Sequence, residues 1–204
     1  PDSHPSSIKG QHPFNADQFW LPGVDQYGEG LYIDLNPDVV GQQNWLPVGE
    51  SVREWQEKVP VVDDPSALIA WNSLSVWWHS FSHRLINAFS LHSGYSSSAI
   101  RERVYVSQNE EGQWRGGILL YTTQPGGDGT MGGLTSLASQ SAHILKLAFQ
   151  SIDRCSNDPI CEHAEIDPVS KLGAACYSCL MVSETSCEHF HGYLNRRLLL
   201  ENLP

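Results

Sequence analysis

The side chains with the clearest chemical potential are cysteines near the C-terminal end. The chain has five cysteines, and four of them form two close pairs, Cys155-x5-Cys161 and Cys176-x2-Cys179. A structural zinc ion takes four thiolate or imidazole ligands in a tetrahedron, and two pairs separated by a loop let one short segment supply all of them. The spacing therefore predicts a structural zinc site at Cys155, Cys161, Cys176 and Cys179, in preference to free, half-buried thiols.

The same segment offers alternative ligands. Cys187 follows the second pair and is a candidate replacement, so that either Cys155 or Cys187 would complete the site. Nearby histidines are further substitutes, namely His163, His189 and His191. An odd number of cysteines, four of them in close pairs, suits a metal site in a reducing compartment better than a disulfide framework.

One pattern in this segment imitates a catalytic zinc site. His163-x-Glu165 followed by Cys176-x2-Cys179 resembles the zinc-deaminase motif, in which a histidine, a general acid–base glutamate and a cysteine pair surround one ion. In deaminases the two halves lie on separate helices, and a proline precedes the cysteine pair where this chain has Ala175. The spacing and the missing proline disfavour a deaminase.

Two histidines lie at i and i+4 on a predicted helix, a spacing that lets both imidazoles face one metal ion. His79 and His83 lack the glutamate of the H-E-x-x-H motif and are expected on the side opposite the aromatic face, so we predict polar surface or a contact with a neighbouring domain. A rival hypothesis is a metal-dependent nuclease or hydrolase that uses His79, His83 and Asp128. Because no catalytic triad can be assembled from the spacing, we predict that the chain is not an enzyme.

Asp128 lies in a glycine-rich loop over residues 124–133, between a predicted buried strand and a predicted helix. Bare backbone amides in such a loop can bind an anion. The Gly-Lys-Ser/Thr ending of a nucleotide-binding loop is missing, so glycines that permit a tight strand-to-helix crossing are the favoured explanation.

Hydrophobic periodicity predicts the elements that position these residues. Apolar residues recur at helical spacing from Ser73 to His92, and a continuous apolar run over residues 117–123 predicts a central strand. The other predicted elements are strands at residues 31–35 and from 104, and helices at residues 50–58, 134–152 and from 185 or 186 to about 200. The pattern predicts a mixed α/β (α+β) fold, with a small central sheet flanked by two long helices and a C-terminal four-cysteine zinc segment.

Composition supports one folded unit. Hydrophobic residues make up 40% of the 204-residue chain and charged residues only 17%, so the chain can bury a core. Residues 1–18 are predicted to be a flexible lead-in, residues 19–204 a single domain, and residues 155–190 its zinc segment. Because the chain begins at Pro1 instead of methionine, we expect a fragment or a processed product.

Charge limits the partners that the chain is expected to bind. A formal net charge of −11 repels phosphate backbones, so DNA is expected to be an indirect partner at most. A third hypothesis is direct nucleic-acid binding by the zinc segment through Arg154, Arg196 and Arg197. No apolar run long enough to span a membrane occurs, and no motif indicates a small-molecule substrate.

Several motifs in one order resemble a known family. HSFSHRLINAFSLHSGYSSSAIRERVY, GILLYTTQPGGDGTMGGL, the C-x5-C pair and GAACYSCLMVSETSCEHFHGYLNRRLL follow one another as in the MrfA-type zinc-binding domain, the C-terminal domain of Mrf-type DNA-repair helicases. WLPGVDQYGEGLYIDL adds a likeness to relatives that accompany a helicase in DISARM antiphage defence. The resemblance covers about Phe19 to Leu200.

The resemblance implies a bacterial cytoplasmic protein with a structural zinc ion at the four cysteines, which works with a helicase-like ATPase partner on DNA. Two positions depart from the family pattern. Cys187 is an additional cysteine, and Asn195-Arg196-Arg197 stands where the family usually has Asp-Arg, which puts a salt bridge there in question. Because complete family members are much longer, the resemblance also implies that this chain is a C-terminal portion.

Overall fold

The structure is a computed structural model, which describes residues 10–12, 15–20, 25–36, 45–59, 72–123, 131–150 and 152–203. The strands are β1 (Gly10–His12), β2 (Asn15–Trp20), β3 (Glu29–Asp34), β4 (Arg101–Gln108) and β5 (Trp114–Thr122). The helices are α1 (Glu50–Lys58), α2 (Ser73–Ser93), α3 (Ser141–Gln150) and α4 (Arg196–Glu201). The mixed α/β fold predicted from the sequence is confirmed.

Helix α2 is the centre of the molecule. The side chain of Asn72 caps it by accepting a hydrogen bond from the backbone N–H of Ser75 at 3.0 Å, and Gly94 ends it in the left-handed conformation that glycine adopts without a Cβ clash. One side of α2 packs against β4 and β5, and α3 and α4 pack against other parts of its surface. As a result every residue from Ser73 to His83 is buried.

A three-stranded antiparallel sheet in the order β3-β5-β4 covers α2. Side chains alternate across a strand, and along β4 the buried positions are Glu102, Val104 and Val106. A glutamate therefore occupies an inward-facing position in the row otherwise filled by valines. This register delivers a carboxylate to the interior beside α2.

The observed elements follow the predictions closely in the first two-thirds of the chain and depart from them later. Helix α1 has the predicted bounds. The predicted second long helix over 134–152 is divided, because a 3-10 turn at Thr135–Gln140 precedes the shorter α3.

The predicted C-terminal helix from residue 185 to about 200 is wrong. A 3-10 turn at Glu184–Ser186 is followed by irregular chain, and only α4 is helical. Left-handed backbone at Phe190, His191 and Tyr193 interrupts the helix, and Asn195 then caps α4 by accepting the Arg197 N–H at 3.0 Å.

Strands β1 and β2 form a separate antiparallel pair, and β2 extends across the predicted end of the lead-in at residue 18. The domain boundary itself stays a prediction. Loop residues 124–130, including Asp128, lie outside the described residues. Within the described ranges no helix has both the length and the apolar character needed to cross a membrane.

Glu29 ties β3 to the start of the turn before α3. Its carboxylate accepts hydrogen bonds from the Tyr95 hydroxyl and from the backbone N–H groups of Gly132, Leu134 and Thr135. Burial alone would raise the pKa of Glu29, but the hydrogen bonds from Tyr95, Thr135 and Gly132 outweigh it and lower the pKa to about 2. The carboxylate is thereby held ionised at the N-terminal end of this turn.

We expect Glu29→Gln to lower the melting temperature at neutral pH. Since the folded pKa is depressed, this stabilisation is present above the ordinary pKa of 4.5 and is lost as the pH falls towards about 2. The wild type and Glu29→Gln should therefore converge in melting temperature across that window. A constant difference between pH 7 and pH 2 would contradict the assigned role, and Glu110→Gln, on an exposed turn, is the control.

Candidate metal centre

The four cysteines predicted as ligands come together on two turns. The Cys155 and Cys176 sulfur atoms are 3.3 Å apart, the Cys161 and Cys179 sulfurs 3.7 Å, and the Cys176 and Cys179 sulfurs 3.7 Å. All four Sγ atoms lie within 4.8 Å of one another. Cys187 lies in a different cluster, so the fourth sulfur here is that of Cys155.

This arrangement fits a zinc ion. Zn–S bonds of about 2.3 Å in a tetrahedron place the sulfur atoms roughly 3.8 Å apart, close to the separations found here. Backbone amides also point at the sulfurs, as expected around thiolates: Asn157 N–H donates to Cys155 Sγ at 3.4 Å and Cys176 N–H donates to Cys179 Sγ at 3.3 Å. The four residues fit the group on geometry and on donor chemistry.

The thiols differ in acidity. Burial raises the pKa of Cys161 and of Cys179, and for Cys161 the neighbouring Cys179 and Cys176 sulfurs add to the effect. Burial also opposes ionisation of Cys176, but hydrogen bonds from Cys155 and from the Ser178 backbone outweigh it and lower the pKa to about 7. Cys176 therefore loses its proton more readily than Cys161 or Cys179, and a cation would be needed to hold these two buried cysteines as thiolates.

A buried arginine fixes the first cysteine turn. Arg196 is 1% exposed, and its Nη2 donates to Asp158 Oδ1 at 2.5 Å. Asp158 in turn accepts the backbone N–H groups of Cys155 at 3.0 Å and of Glu162 at 3.1 Å. Arg196 thus forms a salt bridge with Asp158, whereas Asn195, at the position where the family usually has aspartate, caps α4. Arg196 orients the ligand loop and does not face solvent.

We expect Arg196→Met to weaken zinc binding without removing a ligand. Loss of a group that orients metal ligands typically lowers affinity about 10–100-fold. Competition with a chromogenic chelator measures the change. Arg197→Met is the matched control, because the Arg197 guanidinium pairs with Glu54 on α1 instead of with the cysteine turn. Equal zinc affinity in the two variants would contradict the role of Arg196.

A second cluster of metal-ligand side chains occurs in the described part of the chain, at His79, His83, Glu102 and Cys187. The prediction that the two histidines face polar surface is wrong. Both are 0% exposed, as is Glu102, because the imidazoles lie between Glu102 on β4 and the C-terminal segment that holds Cys187 and Tyr193. The helix has no solvent side at this level, so the face opposite the aromatic side chains is interior as well.

The ligand-type atoms of this cluster converge closely. His79 Nε2 lies 2.9 Å and His83 Nε2 3.1 Å from the same carboxylate oxygen, Glu102 Oε1. Cys187 Sγ is 3.3 Å from His79 Nε2. The other carboxylate oxygen of Glu102 accepts the Ser82 hydroxyl. Two imidazoles, a carboxylate and a thiol therefore converge in one small space in the protein interior.

The charges in this cluster are strongly coupled. Burial alone would lower the pKa of both histidines, but the Glu102 carboxylate outweighs it and raises them. Burial would likewise raise the pKa of Glu102, and the two imidazoles hold it below its usual range. Burial opposes ionisation of Cys187, yet hydrogen bonds with His79 and His83 lower its pKa to about 7. Without a bound cation, the charged forms of acid and base therefore stabilise each other.

The remaining predicted residues lie elsewhere. His163 and Glu165 of the deaminase-like pattern are exposed and belong to neither cluster. His189 and His191 lie beside the second cluster, with ring centres 5.0 Å from His79 and 5.7 Å from His83. All three arginines considered for nucleic acid form salt bridges: the exposed Arg154 with Asp153, Arg196 with Asp158 and Arg197 with Glu54.

Comparison with known proteins agrees with the first cluster. The family model of the MrfA Zn-binding domain matches residues 81–180, which include all four clustered cysteines but neither His79 nor Cys187. The chain is also similar to DISARM protein DrmB of Bacillus paralicheniformis, with 34% identity over 199 residues, which is 90% of this chain and 33% of that protein. The chain thus spans about a third of the length of this relative. Residues 81–180 therefore match the MrfA Zn-binding domain.

Proposed function

We propose that this chain is a zinc-stabilised accessory and interaction domain of a helicase-associated protein in bacterial antiphage defence of the DISARM type. The observation that carries the proposal is the four-cysteine cluster within a matched MrfA Zn-binding domain, in a chain that resembles a DISARM protein. In this role zinc folds the segment after α3, which has little apolar periodicity, onto the α2 core.

Contacts between the cysteine turns and the helices support a structural ion. Arg84 on α2 donates to the carbonyl oxygen of Cys179 at 3.0 Å and to that of Ala148 on α3 at 3.3 Å. One guanidinium thus joins the second cysteine turn to both helices. Since Cys161 and Cys179 are also buried, a zinc ion held here would link parts of the fold that the chain itself connects only through loops.

Exposed apolar side chains on the same segment support an interaction role. Ile160 is 82% exposed between the first two cysteines, and Tyr177 is 76% exposed between the second two. Phe190, after Cys187, is also 76% exposed. Large apolar groups on an otherwise acidic domain are typical of surfaces that contact another protein. We propose that a helicase-like ATPase is that partner and that DNA is reached through it, because a net charge of −11 repels phosphate.

The proposal is tested with the full-length protein in a bacterium that carries the complete defence system. We expect Cys176→Ser to abolish protection against phage plaques, whereas Ser178→Ala, an exposed change in the same turn, keeps it. Full protection by a Cys176→Ser protein of normal abundance would overturn the proposal.

The rival hypothesis of a metal-dependent nuclease or hydrolase needs Asp128 to act with His79 and His83. A catalytic metal keeps an open coordination position, and both histidines are fully buried. On the proposed function Asp128→Asn leaves phage protection unchanged. Loss of protection with normal zinc content and normal abundance would favour the enzyme.

A further inference from the structure

We propose that His79, His83, Glu102 and Cys187 bind a second zinc ion, in a closed structural site separate from the four-cysteine cluster. Two imidazoles, a thiolate and a carboxylate are the ligand types that zinc takes in proteins, and four of them complete its tetrahedron. The site does not depend on the proposed function.

Each imidazole makes a hydrogen bond through Nδ1, on the side of the ring that faces away from the cluster, and this bond fixes its tautomer. His79 Nδ1 is 3.2 Å from the carbonyl oxygen of Tyr193, and His83 Nδ1 is 2.9 Å from the carbonyl oxygen of Leu180. A carbonyl oxygen only accepts, so each Nδ1 carries the proton and donates it. In a neutral imidazole the lone pair is then on Nε2. Both lone pairs consequently point into the cluster, which is the orientation that carbonyl partners give to metal-bound histidines.

The Nε2 lone pairs of His79 and His83 point at the Glu102 carboxylate. Both Nε2 atoms face the same oxygen of Glu102, at 2.9 and 3.1 Å, and two lone pairs aimed at an anionic oxygen repel it. Either both imidazoles carry an extra proton, or a cation lies among them. A second proton on each ring would place two charged rings 4.7 Å apart, centre to centre, in an interior without water contact.

A single divalent ion among the four groups removes the repulsion between the imidazole lone pairs and the carboxylate. Its two positive charges balance the Glu102 carboxylate and the Cys187 thiolate, and the imidazoles remain neutral. The separations of about 3 Å among the ligand atoms are close to the edges of the tetrahedron that zinc forms with nitrogen, oxygen and sulfur. The cluster therefore has both the charge and the dimensions of a four-coordinate site.

The surroundings of Cys187 match those of the first cluster. Its sulfur accepts the backbone N–H groups of His189 and His191, each at 3.4 Å, as Cys155 accepts that of Asn157. The chain achieves this with left-handed backbone at Phe190 and His191, a conformation that costs roughly 1 kcal/mol or more per residue for non-glycine residues. Strained backbone that aims two amides at one sulfur is a feature of a built ligand position.

The segment at Cys179 and Leu180 connects the two sites. His83 donates to the Leu180 carbonyl, and the next residue on α2, Arg84, donates to the Cys179 carbonyl. The second ion would therefore join α2, β4 and the segment at Cys187, while the four-cysteine site joins the preceding turns.

The test measures zinc in the wild-type chain, purified after growth with zinc and without chelators. We expect two zinc ions per chain by elemental analysis, and an X-ray absorption spectrum at the zinc edge with both sulfur and nitrogen or oxygen ligands. One zinc ion with sulfur ligands alone overturns the second site and leaves the four-cysteine site standing. One zinc ion with mixed ligands supports the second site and contradicts the four-cysteine proposal. Absence of zinc overturns both.

Variants then assign the ion. We expect Glu102→Gln, which keeps the shape of the side chain and removes its charge, to lose the zinc with mixed ligands and keep the zinc with sulfur ligands. Cys176→Ser should show the opposite loss. If Glu102→Gln folds and retains both ions, the assignment is wrong. If Glu102→Gln does not fold, the zinc content and the X-ray absorption spectrum of the wild-type chain still test for the second zinc site.

Discussion

Replacing Cys176 by serine is expected to release the zinc ion of the four-cysteine cluster and to unfold the segment that follows α3. Structural zinc contributes folding free energy on the order of 10 kcal/mol, because the ligand set is not preformed in the unfolded chain. The segment also buries apolar side chains, among them Leu180, Leu194 and Leu198, whose packing keeps part of the stability when the ion is lost. We therefore expect a fall in melting temperature of roughly 10 °C or more, measured by thermal denaturation with circular dichroism.

The control for this change lies two residues away. Ser178→Ala alters an exposed side chain in the same turn and should leave the melting temperature within about 2 °C of the wild type. A Cys176→Ser protein that melts with the wild type would contradict a structural role for this cluster. Added chelator should reproduce the destabilisation in the wild type and have little further effect on Cys176→Ser.

The second large effect is expected from Trp77→Ala in the core. Trp77 is fully buried on α2, with ring centres 5.0 Å from Trp45, 4.9 Å from Trp78 and 5.2 Å from Phe81. Truncation of a buried tryptophan leaves a cavity and costs about 3–5 kcal/mol. Urea denaturation of the zinc-loaded protein measures the loss of unfolding free energy.

Trp77→Phe separates packing from hydrogen bonding. The indole Nε1 donates to the carbonyl oxygen of Asn202 at 3.0 Å, which attaches the end of α4 to α2. Phenylalanine keeps an aromatic ring and loses this bond, so a smaller cost of about 1–3 kcal/mol is expected. If Trp77→Ala were no worse than Trp77→Phe, the packing of this aromatic cluster would contribute little to stability.

The regular core could be predicted from the sequence because its periodicity is strong. Apolar residues at helical spacing predicted α2 almost to the residue, with Gly94 as its end. The run over residues 117–123 predicted β5 as the central strand of the sheet. In these elements local pattern and tertiary burial point to the same structure, which is the condition under which sequence reasoning succeeds.

The end of the chain could not be predicted in the same way. Residues 185–200 contain enough apolar side chains to suggest a helix, but the backbone at Phe190, His191 and Tyr193 is left-handed. Contacts with distant residues impose this conformation, for example the one between the Tyr193 carbonyl and His79. A local propensity contains no information about a partner more than a hundred positions away.

The cysteine cluster was visible as spacing, whereas the second cluster was not. Its members come from a helix, a strand and a loop, and only the i, i+4 pair of histidines gave a signal. The alternation of β4 could have added Glu102, because that position shares a face with Val104 and Val106. What misdirected the interpretation was the assumption that α2 has a solvent side.

The central claim is that Cys155, Cys161, Cys176 and Cys179 hold one zinc ion together. The most direct measurement is zinc per chain in single and double cysteine-to-serine variants by elemental analysis. We predict that Cys176→Ser lacks one zinc ion relative to the wild type and that adding Cys155→Ser removes no more, because both cysteines serve the same ion. A Cys176→Ser protein that keeps the wild-type zinc content would contradict the claim.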